Sequence, residues 1–374
     1  MKQCRLIAAV LLMALCLSAC AADPSKDFAY ELLDDGTVQI TRYTGKAETL
    51  VVPSTLGGHQ VTQIGAKAFA DCKSLKSITL PDGLTGIGDQ AFYYCESLTS
   101  ITIPNRVLSI GERAFSRCKS LPSIDIPNSV INIGDAAFND CDALTDIVIP
   151  DSVTQIGENP FINCDSLLTI RVNPNHPVLT TIDGVLFNKI TKELIAYPYA
   201  FAATSYAVPN GILSIGNLAF FGCDSLTSIT LPEGLTSIGN QAFSYCGSLT
   251  SITLPDGLTS IGYHAFDMCC SLTSIILPDG LISIGNAAFW WCFKLENITL
   301  PDGLVSIGNR VFEGCDALKN IKIPDSVMSI GRDVFEGGHA ELTITVTPGS
   351  YAEYWCRNNK LYYTYPNATD WLLN

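Results

Sequence analysis

The chain has 374 residues, with 22 Lys and Arg against 36 Asp and Glu and so a net charge of −14. That balance excludes nucleic acid as a partner, because neutralising phosphates takes a basic face. Hydrophobic residues at 47% and charged residues at 16% exclude a disordered chain, which combines low hydrophobicity with high charge.

Residues 1–19 read as an export segment. Met1-Lys2-Gln3-Cys4-Arg5 is a short basic start, followed by an apolar run from Leu6 to Leu17. The run is too short for a spanning helix, which takes roughly 17–25 residues, and fits the core of a signal peptide. It closes on Leu17-Ser18-Ala19-Cys20, which resembles the lipobox of bacterial lipoproteins. The resemblance implies lipidation of Cys20 and cleavage just before it, which removes Lys2 and Arg5 and leaves −16. Ala19-Cys20-Ala21 also fits ordinary signal cleavage, which would release a secreted protein from Ala22. No other window approaches 18 apolar residues, so the expected membrane contact is the lipid anchor alone. The expected location is a bacterial cell envelope or surface.

Residues 20–27 form a linker, and residues 28–63 an N-terminal cap. From residue 64 to 340 one repeat writes the chain. Ile-Gly pairs begin at Ile64, Ile87, Ile110, Ile133 and Ile156, then at Ile215, Ile238, Ile261, Ile284, Ile307 and Ile330. Every step is 23 except one of 59, and a Phe follows each pair in phase. In the unit that starts at Ile238, Ala242, Phe243, Cys246 and Leu249 fall on one face of a one- to two-turn helix. Ser251-Ile252-Thr253-Leu254 alternates outward and inward as a short strand, and Pro255 ends it. Pro-Asp-Gly then makes a turn. The invariant Gly of the Ile-Gly pair calls for a left-handed φ or a close backbone approach. Stacked units align their Phe, Cys, Leu and Ile columns into one continuous core. At about 4.8 Å per parallel strand, twelve or so coils predict a rod or arc roughly 55–60 Å long.

Residues 171–208 break the phase. Asp183-Gly184-Val185-Leu186-Phe187 and Glu193-Leu194-Ile195-Ala196-Tyr197 predict a hairpin extruded from one lengthened coil, dividing the solenoid into five-coil and six-coil halves. Residues 341–374 form a C-terminal cap.

The pattern Ile-Gly-x-x-Ala-Phe-x-x-Cys-x-Ser-Leu-x-x-Ile-x-Leu-Pro is similar to the BspA-like (Treponema-type) leucine-rich repeats of bacterial surface proteins, over about residues 60–340. Phe28 to Thr41 and the stretch from Gly349 through Tyr354 to Trp371 resemble that family's flanks. The expected fold class is an α/β solenoid of 23-residue coils, each a short parallel strand, a turn and a short helix, with capping flanks. The resemblance implies adhesion to extracellular matrix-type proteins or to other cells, without catalysis. The family defines no binding residue by motif.

Ten cysteines occupy one repeat column, from Cys72 to Cys315. Parallel neighbours about 4.8 Å apart do not offer the roughly 3.8 Å converging Cβ pair of a disulfide. The column therefore reads as small buried hydrophobes. Cys270 and Cys356 fall outside it and are the candidate reactive thiols.

Two variable positions follow each Phe. Over three successive coils the second of them carries Tyr245, Met268 and Trp291, with Trp290, Phe293, Phe221 and Tyr263 adding aromatic surface. Exposed aromatics arrayed over ~10–15 Å suit a sugar face or a peptide anchor, so Phe221, Tyr245, Met268, Trp290, Trp291 and Phe293 are the candidate ligand-binding residues. Local packing accounts for the same pattern. The outward strand positions, mostly Ser and Thr, form a second, nearly uncharged face.

No metal site or cofactor is expected. His59, His176, His264 and His339 lie on different coils, and one acid per Asp-Gly turn falls short of the roughly 6–8 oxygens that calcium takes. Asp125 and Asp146 sit on adjacent strands with Arg171 one further on, but a flat sheet gives neither acid a cleft. The leading expectation is a surface protein that binds an extracellular protein or glycan. The alternatives are an envelope spacer or a solenoid carbohydrate-active enzyme.

Overall fold

The structure, a computed structural model, describes residues 24–338 and 340–366. The export segment, Cys20, His339 and Trp371 lie outside the described residues.

Most coils contribute two short parallel strands. Ser251–Thr253 falls where the alternation predicts it and pairs in register with Ser228–Thr230 on the coil before. A second strand, Ser260–Ile261, is not predicted by the pattern. It pairs in register with Ser237–Ile238 and Ser283–Ile284, so the Ser-Ile ahead of each glycine builds a ladder of its own. Two residues are too few to display an alternation.

The helix expected at Ala242–Leu249 is replaced by turns, which corrects the α/β reading to a β-solenoid. Among the described residues the one α-helix is Tyr351–Asn358, outside the repeats. The reason lies in the backbone. Gln241 and Tyr245 sit at φ 53° and 60°, and the equivalent residues of most coils do the same; a left-handed residue interrupts any right-handed helix. The amides of Gln241, Phe243 and Tyr245 donate across to Tyr263, Ala265 and Asp267 of the next coil at 2.8, 2.8 and 2.9 Å. Between them, Ser244 and Cys246 donate three residues back, to Gln241 and Phe243. An α-helix needs every bond to run four residues back. Alternating turn and cross-coil bonds build a third seam between coils instead.

The Ile-Gly glycines answer the close-approach alternative. None has a left-handed φ, yet a Cβ on Gly262 would stand 2.5 Å from both C and O of Gly239.

The core is a stack of columns. Consecutive Phe rings lie nearly parallel, 5.2 Å apart for Phe69 and Phe92 and 5.0 Å for Phe220 and Phe243, and all but the last, Phe335, are buried. The column thiols are free and all buried but Cys72. Cys95, Cys246 and Cys315 each donate Sγ–H to the Phe carbonyl of the preceding coil at 3.1, 3.1 and 3.2 Å. Cysteine thus fills a small apolar slot while giving a weak donor to a buried carbonyl. Burial pushes Cys246 and Cys315 far up, Cys315 to about 12, so they stay protonated and inert.

The expected hairpin forms, Val185–Asn188 pairing antiparallel with Glu193–Ala196, but its buried strands lie within the stack rather than projecting from it. Leu179–Ile182, Val185–Asn188 and Glu193–Ala196 form an antiparallel meander, and the last strand joins the ladder parallel to Ser214–Ile215. Tyr197 takes the place of a Phe, with its ring 5.1 Å from Phe220 and its amide donating to Ala219 as a Phe amide does. The buried residues fall into two clusters that meet here. Leu186 and Ile195 belong to the N-terminal one, Val185, Phe187 and Leu194 to the C-terminal one. The buried Asn159 amide spans the junction, donating to the Leu218 carbonyl at 2.7 Å.

Both ends of the stack are covered. Phe28 and Tyr43, on paired strands Phe28–Leu32 and Val38–Tyr43, lay their rings against Phe69. At the other end Trp355 meets Phe335 edge-on, and Tyr363–Thr364 pairs with Thr343–Thr345. Covering a terminal coil hides both its apolar face and its strand edge.

Candidate functional site

All eleven residues of the column two places after Phe, from Asp71 to Gly337, have a left-handed φ. The turn geometry requires it, and glycine at 222, 314 and 337 meets it without strain. Tyr245, Met268 and Trp291 meet it at φ 60°, 56° and 57° with large side chains, against a preference of about 1 kcal/mol or more each.

The structure divides the sequence-derived residues into two groups. Tyr245, 45% exposed, packs its ring 5.4 Å from the half-buried Phe221. Two coils on, Trp291 (39% exposed) sits 5.4 Å from Phe293 and 5.1 Å from Trp290. Half-buried Met268 stands on the coil between them. Trp290 differs from the others: it turns inward, meeting the His264 ring edge-on at 5.8 Å, with its Nε1 buried. It supports the column from beneath. His264 is fixed in turn by a 2.8 Å bond to the buried Asp267 carboxylate and by contact with the exposed Tyr263 ring. Gly314 leaves room for Trp291, since a Cβ there would stand 2.4 Å from the indole.

A groove of about 460 Å³ runs along the first group, lined by Tyr199, Phe221, Asp224, Tyr245, Met268 and Cys270. Sequence reasoning missed Tyr199 and Asp224. Tyr199 stands two residues after Tyr197, the ring that replaces Phe, so it continues the same column through the inserted coil. Its ring lies against Gly222, 3.0 Å from where a Cβ would be. Burial and the Asp165 and Asp224 charges push the Tyr199 hydroxyl upward. Asp224 accepts from the Gly247 amide at 2.9 Å.

The two thiols singled out by sequence are not activated. Cys356 lies on the buried face of the C-terminal helix, and burial pushes it to about 11. Cys270 is half-buried and raised by burial and by Asp224. A reactive thiol is a thiolate near neutral pH.

The outward strand face is interrupted. Pro122 stands where five other repeats place Thr and cannot donate to the coil before, and the ladder of Ser77–Thr79 and Ser100–Thr102 ends there, resuming at Asp146–Ile149. The shallow depression left behind holds Asp125, Asp146 and Arg171. Asp146 is ion-paired with Arg171 and Asp125 is open to solvent, so neither has the apolar burial of a general acid. Among the described residues no group of His, Cys, Asp or Glu is placed to hold a metal ion, and no helix is long and apolar enough to cross a membrane.

Comparison with known proteins gives the solenoid its relatives. The family model of the BspA type leucine rich repeat region matches in six copies over residues 62–193, 188–289 and 236–354. A leucine-rich cell surface protein of Faecalibacterium prausnitzii is 30% identical, over 82% of this chain and 93% of that one, with a TM-score of 0.57. A leucine-rich repeat protein of Eubacterium ventriosum is 26% identical over 83% and 93%, with a TM-score of 0.60. The pneumococcal vaccine antigen PcpA, 23% identical over 91% and 97% with a TM-score of 0.68, shares the fold. Among curated proteins none matches. With the repeat model matching well over half of its length, the chain belongs to the BspA-type leucine-rich repeat family.

Proposed function

We propose that this protein is a cell-surface binding protein, held at a bacterial envelope by a lipid on Cys20, and that it holds an extracellular protein or glycan on the aromatic column of its C-terminal half. It performs no catalysis. One observation carries the reading: Tyr245, Met268 and Trp291 keep large side chains at a left-handed position where neighbouring coils place glycine. Strain retained in this way points to a role outside folding. The rings also have the composition of binding hot spots, rigid and partly apolar with a polar tip. Support for surface display comes from the family and from the F. prausnitzii relative, itself a cell surface protein.

The test is a binding screen of the folded chain over matrix proteins and a glycan array, beside a Tyr245→Ala, Trp290→Ala, Trp291→Ala variant whose circular dichroism matches the parent. Saturable binding that disappears in the variant supports the column. Binding that survives moves the site to the strand face. No binding to any member would make the protein an envelope spacer.

A further inference from the structure

The groove beside Tyr245 is aromatic at one end and acidic at the other, where Asp224 lines it and Asp165 lies close enough to act on the Tyr199 hydroxyl. Tyr245, Met268 and Phe221 form the first end. Towards the N-terminal half, the position after each column cysteine carries Asp142, Asp165 and Asp224 on successive repeats. Burial, and then the charges of Asp142 and Asp140, push the Asp165 carboxyl upward against the opposing charge of Lys119, so these acids act on one another. Cations offset part of this charge: Lys119 pairs with Asp142 at 3.4 Å and Arg117 with Asp140 at 3.1 Å. Among the described residues neither Asp165 nor Asp224 has an ion-pair partner, and Lys294 lies at the far side, near Cys270. A neutral glycan would meet the rings and leave Asp165 and Asp224 without an ion-pair partner. A basic protein segment would satisfy both ends at once, since aromatic faces and carboxylates each attract ammonium and guanidinium groups.

Building on the binding reading above, we infer that the Tyr199–Tyr245 groove takes an extended segment of a partner protein that presents Lys or Arg to Asp165 and Asp224 and an apolar or aromatic residue to Tyr245 and Met268. The groove sets the partner's charge, and the rings anchor it.

Three labelled twelve-residue peptides test this, built on one Leu/Tyr framework and carrying Lys, Gln or Glu. Binding to the full chain is read by fluorescence anisotropy. The Lys peptide is expected to bind about tenfold more tightly than the Gln peptide, and the advantage to shrink between ~50 and ~200 mM salt. Asp165→Asn with Asp224→Asn removes most of that advantage. Asp256→Asn with Asp279→Asn, exposed turn acids on other coils, makes the same change in net charge and should alter it less than about twofold. Bound Lys peptide should also slow N-ethylmaleimide labelling of Cys270, read by mass spectrometry. Equal binding of Lys and Gln peptides, an equal loss in the turn control, or no binding by any peptide would each overturn the inference. If it fails while a screened partner is still lost on Tyr245→Ala, the aromatic-column reading survives. If Tyr245→Ala keeps every partner, that reading falls as well.

Discussion

One column of the solenoid is used in two ways, and the contrast separates folding from function. In the N-terminal half the position two after Phe holds Tyr94, Arg117, Asp140 and Asn163, which satisfy one another. The Arg117 guanidinium bonds the Tyr94 hydroxyl, lies 4.5 Å from that ring's centre and pairs with Asp140 at 3.1 Å; Asn163 donates to Asp140 at 3.2 Å. In the C-terminal half the same position holds Tyr245, Met268 and Trp291, and among the described residues no side-chain hydrogen bond ties Tyr245 or Trp291 to a neighbour. The backbone is the same in both halves, down to a φ near 60°. A side chain that tolerates that backbone and bonds its neighbours is accounted for by the fold. One that tolerates it and faces solvent is not.

The buried columns should not distinguish the halves. Phe115→Ala and Phe266→Ala each remove a fully buried ring from the stack, so each should cost about 3–5 kcal/mol in chemical denaturation; a large inequality would mean the halves are not equivalent in their cores. The cross-coil approach is next in size. Gly262→Ala places a Cβ against backbone atoms of Gly239 that cannot move aside, whereas Gly83→Ala meets only the flexible end of Gln60. The first should cost about 1–3 kcal/mol or more and the second under about 1, read from paired melts.

The junction offers a third comparison. Asn159→Ala strands the buried Phe161 amide, which donates to Asn159 Oδ1 at 3.1 Å, and removes the donor to Leu218, at about 1–3 kcal/mol, and should split a single melt into two transitions as the halves uncouple. His176, in the inserted segment, is buried with Nδ1 accepting from the Val178 and Leu179 amides and Nε2–H donating to Pro150. Burial lowers its proton affinity. The unfolded chain therefore takes up a proton as pH falls through about 6.5 while the folded chain resists. Stability is held above that pH and declines below it. His176→Gln should be less stable at pH 7 and show a flatter profile from pH 7 to 5.

Much of this was legible in the sequence. A 23-residue period with Phe, Cys, Leu and Ile in phase can only bury its apolar residues by stacking, and parallel neighbours at strand spacing rule against disulfides, so the buried thiols follow. The helix did not follow, because the spacing of Ala242, Phe243 and Cys246 fits a helix face and a chain of turns equally well. What decides between them is the left-handed φ at Gln241 and Tyr245, which ordinary side chains do not announce. The Ser260–Ile261 ladder was hidden by its two-residue length. The aromatic column was readable as a run of large residues at one register. The groove was not, because Tyr199 reaches it through an inserted coil whose Tyr197 stands in for Phe only once the strands are paired.

The most direct test of the account sets Tyr245→Gly beside Arg117→Ala, recording melting and binding to a screened partner for both. Glycine relieves about 1 kcal/mol of left-handed strain and gives up a half-exposed contact with Phe221, so Tyr245→Gly should melt within about 1 kcal/mol of the parent yet lose binding. Arg117→Ala should bind as the parent does and lose about 1–2 kcal/mol of stability. A Tyr245→Gly protein that is strongly destabilised, or that binds undiminished, would contradict the claim that this column faces a partner.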